Sequence, residues 1–138
     1  MRFEGRVFKV GRYWAIEVPI LGVVTQGRTK KEAFEMIADA IEALANDSKL
    51  RIDVHPGKKD YFEVGASNTG PLIALLLRRQ RATQGMTLAQ VAERLGAKST
   101  NAYARYEQGR SVPTVEQLSR LLAAGGDGKE FVVSGSRA

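Results

Sequence analysis

The chain has 138 residues, 43% of them hydrophobic, and carries 21 Lys and Arg against 15 Asp and Glu, a formal charge of +6. That apolar content supports packed cores, and the length fits one ordinary domain or two small ones. With no cysteine and one histidine, disulfides, thiolate nucleophiles and sulfur-bound zinc are excluded, and neither a metal nor another cofactor is expected. The basic balance favours an anionic partner without naming it. No stretch approaches the ~20 apolar residues of a bilayer span, so a soluble, cytoplasmic protein with no membrane partner is expected.

In chain order, Val7-Phe8-Lys9-Val10, Tyr13-Trp14-Ala15-Ile16-Glu17-Val18 and Gly22-Val23-Val24-Thr25 are short apolar segments set off by glycine or proline, which predicts three antiparallel strands. Gly11-Arg12 has the length of a tight hairpin turn, and Pro19, which cannot donate to a ladder, ends the second strand. Thr29 and Glu32 have the spacing of a capping box and predict a helix start. From there Ala33, Met36, Ile37, Ala40, Ile41 and Leu44 recur at steps of three and four, one stripe to lie on the sheet, until Asn46-Asp47-Ser48 breaks the pattern. Leu50 to Val54 and Tyr61 to Val64 read as strands, one or both joining the sheet, with His55-Pro56-Gly57-Lys58-Lys59 as the turn between them. In that turn His55 reads as solvent-exposed rather than as a general base.

The small, polar run Gly65-Ala66-Ser67-Asn68-Thr69-Gly70 marks a boundary, because the apolar period changes there from two to about 3.6. The expected organisation is therefore a sheet-and-helix domain over residues 1–67, an all-helical domain over 68–126, and a tail over 127–138 whose Lys129-Glu130-Phe131-Val132-Val133 offers a short strand, able to pair across subunits or to fray. The class is α+β. Leu72, Leu75, Leu76 and Arg79 share the face of a first C-terminal helix, which runs through Arg81 and ends at Gly85. Thr87 caps a second, with Leu88, Val91, Ala92 and Leu95 inward and Gly96 closing it. Ser99 opens a third, with Tyr103 and Tyr106 inward and Thr100, Asn101 and Arg105 opposite, ending at Gly109. Pro113-Thr114 opens a fourth, carrying Val115, Leu118, Leu121 and Leu122.

This order and the text MTLAQVAERLGAKSTNAYARYEQGRSVPTVEQLSRLL resemble the Cro and phage-repressor class of helix-turn-helix domains, from about Leu75 to Leu122. The resemblance implies that Ala92 is the small residue that lets the next helix pack closely, that Gly96 holds the turn, and that Arg81 pairs with Glu107. It also implies that this third helix, opened by Ser99, is laid in the major groove of operator double-stranded DNA, with Thr87, Lys98, Thr100, Asn101, Ala104, Arg105, Gln108 and Arg110 as the contact set. By donor and acceptor geometry Asn101 suits adenine and Arg105 guanine, each worth ~1–3 kcal/mol of discrimination. Lys98, Gln108 and Arg110 suit the phosphate backbone, which positions without specifying. Leu88 stands where many members have a glutamine, and Gly96 to Glu107 is one residue longer than usual, lengthening the turn.

The N-terminal text Tyr13-Trp14-Ala15-Ile16-Glu17-Val18-Pro19, then Gly22, then Thr25-Gln26-Gly27-Arg28-Thr29-Lys30-Lys31-Glu32-Ala33, resembles the HicB antitoxin family over about Phe3 to Leu44. The Pro19-Ile20-Leu21-Gly22-Val23 loop is shorter than in many members and lacks their acid and cysteine. The resemblance implies a degenerate ribonuclease-H-like fold that binds and blocks a small HicA-like ribonuclease toxin, with the helix-turn-helix repressing the operon as a homodimer or larger assembly. The rival reading is a transcriptional regulator without a toxin partner. An enzyme is not expected, since Glu17, Glu32, Glu35 and Asp39 are scattered over a strand and a helix where a two-metal site needs convergent carboxylates.

Overall fold

The computed structural model describes residues 1–45 and 47–138, so of the expected breaker Asn46-Asp47-Ser48 the asparagine lies outside the described residues. The chain divides into two compact units, Met1–Leu72 with Gly135–Ala138, and Ile73–Ser134.

The first unit contains β1 (Arg2–Val10), β2 (Tyr13–Val18), a 3-10 turn (Pro19–Leu21), β3 (Val23–Gly27), α1 (Lys30–Ala45), β4 (Ile52–Pro56) and β5 (Tyr61–Ala66). The strands form one sheet in the order β3-β2-β1-β5-β4, and every neighbouring pair is antiparallel. β1 is longer than expected because its two halves have different partners, β5 from Arg2↔Gly65 to Arg6↔Tyr61 and β2 from Arg6↔Glu17 to Val10↔Tyr13. Gly11 takes φ +59 at the first position of the two-residue hairpin loop. His55, expected in a turn, instead lies on β4 opposite Glu63, since β4 runs on through Pro56 before the chain turns.

One face of the sheet is dry. Phe3, Val7, Ile16, Val18, Phe62 and Val64 are buried on it, as are Ala33, Ile37 and Ile41 of α1, and each large side chain so buried is worth ~1.5–3 kcal/mol over leaving it in water. The helical stripe is narrower than its sequence suggested. Met36 and Leu44 are 40% and 38% exposed, because positions four apart, 33, 37 and 41, already fill the line of contact with the strands. α1 is fastened at its start, where Glu32 N–H donates to Thr29 Oγ1 at 3.0 Å. Its approach requires Gly27, at which a Cβ would stand 2.5 Å from the Ala33 backbone nitrogen. The thr-gln-gly strand end thus has a steric reason for its glycine.

The second unit is helical: α2 (Thr69–Thr83), α3 (Leu88–Leu95), α4 (Thr100–Glu107) and α5 (Val115–Gly125). The division between the units falls inside α2, after Leu72, rather than at residue 67, because the helix already starts at Thr69 within the small-residue run. Leu72 through Leu77 are all buried, so this part of α2 is apolar around its circumference and not only along the expected stripe. α5 buries Leu121, Leu122 and Gly125 but leaves Val115 88% exposed; Val115 is its first residue, beyond the turn that meets the core. The tail forms no strand: residues 127–138 lack regular structure, and no ladder partner reaches Lys129–Val133. No helix among the described residues is long and apolar enough to cross a membrane.

Candidate nucleic-acid interface

The helical unit is built by punctuation. Thr87 Oγ1 accepts from Gln90 N–H at 3.1 Å while Gln90 Oε1 accepts from Thr87 N–H at 2.8 Å, a complete capping box at the start of α3. Thr114 and Gln117 make the same box at α5, and Ser99 Oγ accepts from Ala102 N–H at the start of α4. At the other end of α3, Gly96 adopts φ +65, its N–H donating to Glu93 O and that of Ala97 to Ala92 O. This is the paired closure that left-handed glycine permits without a Cβ penalty. The same two bonds close α2 around Gly85 and α4 around Gly109.

Between α3 and α4 lie four residues, Gly96 to Ser99, within the length usual for the turn of such a helix pair. α4 then starts at Thr100. The angle between the helices is set from beneath by Ala92, 4% exposed, and by the pair Arg81 and Glu107. Arg81 Nε donates to Glu107 Oε2 at 2.8 Å and Nη2 to Oε1 at 2.9 Å, while its third nitrogen donates to Met86 O at 2.9 Å. One guanidinium thereby ties the end of α2, the linker to α3 and the end of α4. The hydrogen bonds to Glu107 raise the Arg81 pKa further, against the opposing effect of burial.

α4 buries Tyr103, Ala104 and Glu107 and turns Thr100, Asn101, Arg105 and Gln108 to solvent. Ala104, expected among the DNA contacts, is a correction: at 5% exposure its methyl faces the core, since it adjoins Tyr103 and lies three residues before Glu107 on the inward side. Asn101, Arg105 and Gln108 stand four and three residues apart and form one exposed stripe, with Lys98 before it and Arg110 after it also exposed. None of Lys98, Arg105 and Arg110 enters an ion pair among the described residues. An α-helix with its side chains is about 10–12 Å across, which the roughly 12 Å wide major groove admits. Thr87 is exposed, although its hydroxyl already accepts within the capping box.

Tyr103 is the largest fully buried side chain, and its hydroxyl has no hydrogen-bond partner of good geometry among the described residues. Burial pushes its phenol pKa up, and the neighbouring Glu107 carboxylate adds to the shift. Tyr106 is only half-buried, at the edge of a depression of about 260 Å³ that Arg120 and Gln117 also line.

In the sheet unit, no three carboxylate or imidazole side chains among the described residues come together as a metal site would require. A group that the sequence left unremarked stands out there instead. Glu63 is 3% exposed and accepts from Arg2, Tyr61, Ser136 and the Arg137 backbone. The strand alternation assigns Glu63 to the face away from α1, but two of its partners lie more than 70 residues away.

Residues 72–129 match a protein family described as a helix-turn-helix domain. No curated protein matches the chain.

Proposed function

We propose that the chain is an antitoxin and autorepressor, in which the helical unit binds operator DNA and the sheet unit binds and neutralises a small ribonuclease toxin. The helix-turn-helix match makes the C-terminal half a DNA-binding regulatory domain. The observation that carries the DNA reading further is the stripe Asn101, Arg105 and Gln108 on a helix held by a buried bidentate ion pair. Rigid presentation matters because base readout by bidentate side chains needs the helix fixed within the groove. In this reading Asn101 and Arg105 read bases, while Lys98, Gln108, Arg110 and the Thr100 end of α4 hold phosphates, with Thr87 reaching the backbone from α3. The protein works as a homodimer, since two-fold copies place two such helices one DNA turn apart.

Support for the toxin-binding half is the residue-level likeness to the HicB family, together with the order strand, strand, strand, helix in which its motif falls. In this reading the sheet unit binds its partner and carries out no catalysis, and Glu17, Glu32, Glu35 and Asp39 are surface charge on a strand and a helix. Co-expression with the adjacent small reading frame tests this half. A stoichiometric complex that restores growth is the expected result. Unchanged ribonuclease toxicity sinks the antitoxin claim and leaves a transcriptional regulator without a toxin partner.

A further inference from the structure

On the face of the sheet away from α1, Glu4 of β1 and Glu63 of β5 are direct cross-strand partners. Two carboxylates so placed repel, and Glu63 is almost completely removed from water. The sheet supplies one cation, Arg2, at 3.3 Å from Glu63 Oε1. The second comes from Arg137, more than 130 residues from Glu4 in sequence. Arg137 Nη2 lies 3.3 Å from Glu4 Oε2, its guanidinium sits 4.2 Å from the centre of the Tyr61 ring, and its backbone N–H donates to Glu63 Oε2 at 2.8 Å. Ser136 Oγ donates to Glu63 Oε1, and Tyr61 OH donates to Oε2 at 2.6 Å. Burial alone would raise the Glu63 pKa; these hydrogen bonds outweigh it and hold the carboxyl at about 2.

The segment leading to this contact is exposed to solvent. Val132 and Val133 are 90% and 97% exposed, and the residues before the anchored end form no helix or strand. Between a mostly solvated connector and a buried carboxylate, Ser136–Arg137 has the form of a ligand on a tether.

We propose that Glu63, Glu4 and Tyr61 form a receptor on the sheet for an arginine-bearing chain segment, filled in the free protein by the chain's own Ser136–Arg137 as a displaceable latch. The arginine is the recognised element, because only a cation with several donors both relieves the opposed carboxylates and stacks on the Tyr61 ring. A partner protein that presents an arginine to this face takes the latch's place. The proposal is independent of which partner that is, and of whether the helical unit binds DNA.

The test uses the full-length chain and a Ser136→Gly/Arg137→Gly variant of the same length. The probe is a synthetic peptide of residues 131–138, with a second peptide in which its arginine is alanine. Amide chemical shifts of Tyr61, Glu63 and Gly65 are followed by NMR. The arginine peptide should shift them in the variant, and the alanine peptide should act at least tenfold more weakly. The wild-type chain should respond at least tenfold less than the variant, because a tethered tail competes at an effective concentration on the order of millimolar. Equal responses of the two chains, or of the two peptides, or none in a folded variant, overturn the proposal. In the wild-type chain itself, hydrogen exchange at the Arg137 amide should be at least tenfold slower than in the free peptide, and an equal rate also overturns it.

Discussion

The two units solve the same problem, a buried carboxylate, in different ways. In the helical unit Glu107 receives a bidentate guanidinium from Arg81, 26 residues earlier in the same compact body, with both bonds under 3 Å. In the sheet unit Glu63 has one cation at 3.3 Å and completes its shell with the last residues of the chain. The first arrangement is internal and fixed, suited to holding a helix at a set angle for reading DNA. The second depends on Ser136 and Arg137, held by a few hydrogen bonds and one exposed ion pair, as the proposed exchange of occupants requires. A buried acid is thus a strut in one unit and a socket in the other.

That contrast is broken most directly by Glu107→Ala. Stranding the Arg81 cation should cost the helical unit about 3–5 kcal/mol, read as an earlier helical transition by circular dichroism in denaturant. Trp14, the sole tryptophan and a residue of β2, should keep its fluorescence transition where it was. A parallel shift of both signals contradicts the assignment of the pair to one unit.

Gly27→Ala is the matching test on the other side. A methyl 2.5 Å from the Ala33 nitrogen cannot be accommodated without moving α1, so the Trp14 transition should fall by about 1–3 kcal/mol while the helical unit stays in place. Acid sharpens the comparison further. Glu63 is held below its ordinary value, so the latch contributes fully above the unfolded carboxylate pKa, and its contribution is lost as pH falls from about 4.5 through about 2. Resonances of Tyr61 and Arg137 should move together over that window, and a sheet unit whose shifts ignore it argues against the contact. The smallest effect is Tyr103→Phe, which removes a buried hydroxyl that has no partner of good geometry and should stabilise the helical unit by about 1 kcal/mol or less, seen as a raised Tm. Destabilisation instead would reveal a hydrogen bond at that hydroxyl.

Legibility in the sequence follows the same divide. The helical unit announces itself locally, because its N-caps are Thr87, Ser99 and Thr114 and its stops are Gly85, Gly96 and Gly109, all short-range signals. What spacing alone left open was the first residue of α4, since a turn has no periodicity to reveal it; the helix starts at Thr100, after Gly96–Ser99. Ala104 was misplaced for a related reason, as small residues fit either face of a short helix and only packing decides. In the sheet unit the strands were readable by alternation, and even the missed start of β1 is written in Arg2, Glu4 and Arg6 alternating with Phe3, Gly5 and Val7. The order of β5 and β4 and the socket at Glu63 were not readable. They depend on pairings across some 60 residues for β1 with β5, and more than 70 for the tail, to which no local pattern points.

The central claim is that α4 reads DNA from a face set by the Arg81–Glu107 pair. It is tested by titrating the full chain against duplex from its own upstream region and against scrambled duplex over a range of salt. The account predicts preference for the upstream duplex and affinity that falls steeply with salt. Arg105→Ala should remove ~1–3 kcal/mol of that preference, and Lys98→Ala should weaken both duplexes equally and flatten the log–log salt slope by about 0.9. Equal, salt-insensitive binding to both duplexes, or equal losses on both from Arg105→Ala, would contradict it.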